Sequence, residues 1–188
     1  LAPAAITLPG LVVSATRRTQ TFVEAPISMG VASARQIANH NAFTLAAPLR
    51  YQSGVSQIGG QVNIRGSSGF SRGTGSRVLL LMDGFPLLSA DLGDIKWDAI
   101  PVGEIERMEI IKGAGSALYG TGALGGVINL ISREPARETR TEYRLVSGFF
   151  SQPAHRSWRW RDDPMYLTGA DLSHQRTIGA TGIVAAVG

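Results

Sequence analysis

From Val78 to Met82 the chain runs Val-Leu-Leu-Leu-Met without a polar interruption, and it stops at Asp83-Gly84. A short apolar run without alternation predicts a strand buried on both faces, and Asp-Gly predicts a tight turn after it. "ERMEIIK" (106–112) and "GVINLIS" (126–132) predict two more strands of similar texture. Upstream, "ISMGVAS" (27–33) reads as a strand, and Ser33 followed three residues later by Gln36 is the signature of a capping box, opening a helix to about Asn39. Thr44 is expected to cap a second helix over "LAAPLRY", shortened or bent by Pro48. "VNIR" (62–65) predicts a strand, and "LVVSATRR" (11–18) is a short β-prone run after Pro9-Gly10. Segments 67–76 and 89–99, rich in Gly, Ser and Asp, predict long loops.

After Ser132 the pattern changes to a period of two. Thr141, Tyr143 and Leu145 alternate with Glu142 and Arg144, and "MYLTGADLSHQ" and "TIGATGIVAAVG" read as further strands with polar and small residues interleaved. Such alternation over about ten residues per segment is the weak signature of membrane-barrel strands. It places a boundary near residue 133. No apolar run approaches the roughly 18 residues of a membrane helix, so crossing by a helix is not expected.

The 188 residues carry a net charge of +4, from 16 Arg and 2 Lys against 14 acids. The excess is +2 in residues 1–132 (10 basic, 8 acidic) and +2 in 133–188 (8 basic, 6 acidic). A nucleic-acid binder concentrates its basic charge on one face, so this even spread argues against a nucleic-acid partner. The absence of cysteine excludes disulfides and thiolate metal sites.

Gly120-Thr-Gly-Ala-Leu-Gly125 spells GxGxxG. A dinucleotide fingerprint follows a strand and opens a helix; here the helix-like "SALY" precedes it and a strand follows. The order argues against a nucleotide-dependent oxidoreductase. Glycines at 113, 115, 120, 125 and 126 are better explained by turns. Gly66-Ser-Ser-Gly69 resembles the GxxG loop that clamps RNA in KH domains, with Phe70 and Arg72 as stacking candidates, but that loop joins helices. His40, His155 and His174 have no metal-ligand spacing, and Glu104, Glu106 and Glu109, interleaved with Arg107 and Lys112, read as a solvated or salt-bridged surface. No catalytic constellation, metal site or cofactor site is predicted; the chain does not read as an enzyme.

The ordered string of Ile64-Arg-Gly66, the strand and turn of 77–84, "IERMEIIKG", "SALYG" and "GGVINLIS" resembles the plug domain of TonB-dependent outer-membrane receptors, over roughly residues 11–132. The resemblance implies a mixed α/β (α+β) plug followed by the first antiparallel strands of a transmembrane β-barrel. The implied divisions are an N-terminal segment 1–20, a plug 21–132 and about three barrel strands in 133–188. The 22 strands of such a barrel need well over 200 residues, so this chain is expected to hold only its opening. The implied function is TonB-dependent uptake of a scarce nutrient across the outer membrane of a Gram-negative-type bacterium. The nutrient is most often an iron chelate, with cobalamin or an oligosaccharide as the alternative. Implied partners are TonB, reached from the periplasm, the nutrient and the membrane lipid.

The same resemblance implies roles for particular residues. Leu11, Val12, Val13, Ser14 and Ala15 resemble the TonB box, which adds a strand to TonB's sheet. Arg65 and Lys112 take the positions of cations that lock the plug to carboxylates of the barrel wall. Lys112 stands where the family has Arg, so the bidentate fork is lost there. Phe70, Arg72 and Trp97, in the two long loops, are the expected substrate contacts.

Overall fold

The computed structural model describes residues 12–13, 20–21, 27–40, 44–58, 61–67, 77–87, 95, 97, 100–159, 161, 163 and 165–187. It divides into two compact units, Leu1–Ile100 with Ile105–Arg133, and Pro101–Glu104 with Glu134–Gly188. In chain order the first unit holds β1 (Val12–Val13), β2 (Gln20–Thr21), β3 (Met29–Ser33), α1 (Ala34–Asn39), α2 (Ala46–Leu49), β4 (Val55–Ile58), β5 (Gln61–Ile64), β6 (Val78–Met82), β7 (Phe85–Pro86), β8 (Ile105–Lys112), α3 (Ser116–Tyr119) and β9 (Gly126–Ser132). The second holds β10 (Arg140–Phe150), β11 (Met165–Ile178) and β12 (Thr181–Val187).

A five-stranded mixed sheet, in the order β3-β8-β9-β6-β7, organises the first unit. β9 is its centre, parallel to β6 and antiparallel to β8. The register aligns Met29, Ile111, Val127 and Leu79 in one cross-strand row, packed against Ala123 and Tyr119 from the β8–β9 connection. The opposite face carries Leu80, Ile128, Ile110, Leu130 and Met108, all buried, and α1 lies against β3 and β8 with Ile37 as its buried residue. Both faces of β6 and β9 are thus covered, which is why their sequences are apolar without alternation. Each such side chain contributes about 1.5–3 kcal/mol by leaving water.

The local signals act as their chemistry requires. Ser33 and Gln36 form the expected capping box: Gln36 N donates to Ser33 Oγ (3.3 Å) and Ser33 N to Gln36 Oε1 (2.9 Å). α2 differs from expectation. It spans only Ala46–Leu49, Leu45 stands at its N-cap, and no side chain caps it. Thr44 takes part through its carbonyl, which accepts from Ala47 N at 3.2 Å; Pro48 has no N–H to give Thr44 an i+4 bond.

Asp83 and Gly84 adopt φ of 50° and 85°, the paired positive values of a type I′ hairpin turn. β9 fastens this turn, since Asn129 Oδ1 accepts from Gly84 N (3.1 Å) and Ser132 N donates to Asp83 Oδ1 (2.9 Å).

The connection from β8 to β9 answers the question of the glycines. α3 precedes Gly120, and a strand follows Gly125, the reverse of a dinucleotide fold. At Gly126, φ is 149° and a Cβ would stand 2.5 Å from the Ile111 carbonyl oxygen and 2.7 Å from Ile64 Cδ1. A Cβ on Gly125 would stand 2.5 Å from Ser67 Oγ, while Gly125 N donates to the Arg77 carbonyl at 2.8 Å. Here the glycine pair serves close backbone approach more than a turn: β9 can slide between β6 and β8 only where no side chain intervenes.

In the second unit β10, β11 and β12 form an antiparallel meander. The stretch read as one strand, "TIGATGIVAAVG", is instead split by a turn at Gly179, whose φ is 61°, so β11 extends through Ile178 and β12 starts at Thr181. Gly126→Ala is expected to destabilise the first unit by about 2–3 kcal/mol through strain and overpacking. Gly122→Ala, whose Cβ would meet only Leu79 Cδ1 at 3.7 Å, should cost well under half of that, as read from urea unfolding midpoints.

Candidate functional site

Two cations meet at one end of the five-stranded sheet. The β4–β5 ribbon ends at Ile64, and Arg65 turns out of it with φ of 53°, a left-handed value disfavoured for a side chain with a Cβ. Arg65 N donates to the Gly54 carbonyl at 2.7 Å, which fixes the turn. Its guanidinium, exposed, donates from Nη2 to Ser28 Oγ at 2.6 Å. Lys112, the last residue of β8, donates its backbone N–H to the Ser28 carbonyl at 2.9 Å and its ammonium to Ser53 Oγ at 3.3 Å. Arg65 and Lys112, 47 positions apart in sequence, therefore both fasten to Ser28. Among the described residues neither is paired with a carboxylate. Their neighbours are hydroxyls and the Gln52 amide, whose Oε1 lies beside Gly30 together with Lys112 Nζ. Both cations are thus held by neutral groups.

The acidic cluster of β8 is salt-bridged, one of its two expected arrangements, but one of its members is buried rather than at the surface. Glu109 is 0% exposed and accepts from Arg107 Nε at 2.9 Å, while Arg107 Nη1 reaches Glu106 Oε1 at 3.1 Å. Glu109 lies opposite Asn129 and Val31 in the cross-strand row next to the apolar one. Strand alternation sends Glu109 and Arg107 to the same face, which the one-dimensional charge run conceals.

The remaining candidates are more dispersed. Trp97 is 6% exposed, and its indole Nε1 has no hydrogen-bond partner among the described residues. It therefore presents little surface to a ligand as the chain stands. Phe70 and Arg72 lie outside the described residues, as do Leu11, Ser14 and Ala15. Val12 and Val13 pair antiparallel with Thr21 and Gln20 in a ribbon of two residues per strand. Among the described residues no group of three His, Asp or Glu is placed to hold a metal.

A second surface runs along β10–β12. The register aligns Tyr143 with Leu172 and Val187, Leu145 with Ala170, and Phe149 with Tyr166. Exposure of Tyr143 (79%), Leu145 (77%) and Tyr166 (76%) marks this face as apolar and uncovered. The other face is polar toward the Arg140 end of β10, where Arg144 Nε donates to Asp171 Oδ2 at 2.7 Å, Arg140 pairs with Glu142, and Ser173 and Gln175 are buried; toward the β10–β11 connection it carries Leu167, Met165 and Phe150. Apolar outside and polar inside inverts the pattern of a sheet in water. Among the described residues no helix is long and apolar enough to cross a membrane, which leaves crossing by strands open.

The model of the TonB-dependent receptor plug domain matches residues 21–127, more than half of the chain. The chain belongs to the TonB-dependent receptor plug family. It is 44% identical over 145 residues to the vitamin B12 transporter BtuB of Vibrio vulnificus (strain CMCP6), which covers 76% of this chain and 23% of the transporter. It is 32% identical over 109 residues to the ferric enterobactin receptor of Pseudomonas aeruginosa, covering 52% of this chain and 13% of the receptor. The crystal structure of the siderophore receptor PirA from Pseudomonas aeruginosa shares the fold, with a TM-score of 0.60 at 24% identity over 87% of this chain and 28% of PirA. The chain spans less than a third of the length of these relatives.

In this plug, the strained backbone at Arg65 separates the needs of the fold from those of the cation. Arg65→Gly relieves a left-handed conformation that costs a residue with a Cβ about 1 kcal/mol. It should therefore leave the chain about 1 kcal/mol more stable than Arg65→Ala does, although both remove the same charge. Denaturant midpoints of the two variants, compared side by side, check this.

Proposed function

We propose that this chain is the plug and the opening barrel strands of an outer-membrane receptor that takes up a scarce metal chelate with energy delivered by TonB. The observation that carries the reading is the sheet of β10–β12, with Tyr143, Leu145, Phe149 and Tyr166 exposed on one face and paired charges on the other, following a plug in the same chain. No covalent chemistry is needed for such work: the plug binds, gates and is pulled. An iron chelate is the main reading, supported by the similarity to a ferric enterobactin receptor. Cobalamin is the second, favoured by the higher identity, 44%, to a vitamin B12 transporter. Phe70, Arg72 and Trp97 remain the proposed substrate contacts, with Trp97 needing to emerge from its buried position to serve.

Arg65 and Lys112 act as the lock between plug and barrel wall. Both are cations without a carboxylate among the described residues, and the partner carboxylates would come from barrel strands beyond this chain. Arg65 offers a fork and Lys112 a point charge, so Arg65 is the stronger half. The proposed divisions are an N-terminal segment 1–20, a plug 21–132 and barrel strands in 133–188.

Leu11, Val12, Val13, Ser14 and Ala15 serve as the TonB box. The ribbon of Val12–Val13 with Gln20–Thr21 is only two residues long, and an isolated hairpin of that kind is marginal in water. Exchanging one partner strand for another in TonB costs little, and main-chain hydrogen bonds supply the grip. Val13→Pro deletes a ladder donor and fixes φ, so it should abolish uptake while surface binding of substrate survives. Val12→Thr should transport normally. Binding and uptake of radiolabelled ferric siderophore and of cobalamin, measured in the same cells, test both box and substrate. Normal uptake by the proline variant would remove the box from these residues.

A further inference from the structure

The connection between β10 and β11 departs from the rest of the second unit in charge and in exposure. β10 and β11 close on the pairs Phe149–Tyr166 and Phe150–Met165, and Phe149, Phe150 and Tyr166 are all strongly exposed. The chain then makes a single 3-10 turn at Arg156–Trp158. Trp158 is 68% exposed and stands edge-on to His155, ring centroids 4.6 Å apart. Arg156 and Arg159 are exposed, and Arg159 Nε donates to the Pro153 carbonyl at 3.2 Å, which orients its guanidinium. Among the described residues neither arginine is paired with a carboxylate, whereas Arg140 and Arg144 on the polar face of the same sheet both are.

We infer that Arg156 and Arg159, with Trp158 between them, form a binding site for the phosphate headgroup of an anionic membrane lipid. The inference rests on the reading of β10–β12 as lipid-facing strands. Continuity carries it: the apolar band ends in Phe149 and Tyr166, an exposed indole follows, and two guanidiniums stand in the same loop. Aromatic rings of this kind settle at the boundary between hydrocarbon and headgroups. A guanidinium there meets phosphate with a bidentate fork. A soluble anion would gain nothing from the neighbouring aromatic band.

The test uses the full-length receptor reconstituted in vesicles of phosphatidylcholine with added phosphatidylglycerol, one lipid or the other carrying brominated chains. Quenching of Trp158, taken as the difference from a Trp158→Phe variant because the chain also holds Trp97 and Trp160, reports which lipid occupies the loop. We expect phosphatidylglycerol to be preferred by about tenfold or more, since each Arg near an anionic surface contributes severalfold. Arg156→Gln/Arg159→Gln should bring the preference close to one. Arg35→Gln/Arg50→Gln, which removes the same charge elsewhere, should leave it intact. Quenching by both lipids without preference would overturn the headgroup site while leaving the lipid-facing strands standing. No quenching by either would overturn the lipid-facing reading and the headgroup site together. Loss of the preference to inorganic phosphate, at an ionic strength where sodium chloride has no effect, would show a site for free anions and overturn the inference as well.

Discussion

Everything in the first unit depends on the close approach at Gly125 and Gly126, where β9 enters between β6 and β8. At that point the Ile111 carbonyl, Ile64 and Ser67 crowd the backbone to distances that no Cβ tolerates. Once β9 is seated, its two faces organise the rest. Val127 joins the row shared with Met29, Leu79 and Ile111, and Asn129 fastens the Asp83-Gly84 turn. Ser67, which touches Gly125, belongs to the turn that presents Arg65, and its Oγ donates to the Ile64 carbonyl at 2.6 Å. The glycine pair thus couples the sheet centre to the cationic end. A phosphate cradle would need these backbone N–H groups free, but Gly125 N is spent on Arg77.

The cationic end shows a division between folding and function. Arg65 holds a left-handed backbone that glycine would adopt without strain. Its side chain reaches only a serine hydroxyl among the described residues. A residue that costs the fold and gains little within it is expected to act on something outside the unit. Arg107 is the counterexample on the same sheet: its partner Glu109 is buried beside it, so that charge pair is spent inside the unit.

Some of this was legible in the sequence and some was not. β6 and β9 could be read because strands covered on both faces lose polar alternation. Asp83-Gly84 and Ser33 with Gln36 could be read because each motif satisfies its own backbone within four residues. β4 escaped notice: Val55–Ile58 alternates over only four residues and is defined by its partner β5. Burial of Glu109 was hidden because it follows from which strand faces are covered, a tertiary fact. The convergence of Arg65 and Lys112 on Ser28 was equally hidden in the spacing, and only the family resemblance brought the two residues into one proposal. The split at Gly179 was missed because a glycine in a strand rich in small residues gives no contrast.

The claim that binds the two units into one functional reading is that β10 has a lipid side and a lumen side. The 188 residues hold no cysteine, so single cysteines placed along β10, with any cysteine elsewhere in the receptor replaced by serine, report on β10 alone. Spin labels at 141, 143, 145, 147 and 149 of the receptor in outer-membrane vesicles should be relaxed by oxygen, and labels at 142, 146 and 148 by a water-soluble nickel chelate. Alternation with a period of two is the expected result. Uniform access of the nickel chelate to both sets, with no alternation, would contradict a membrane-facing strand and with it the receptor reading.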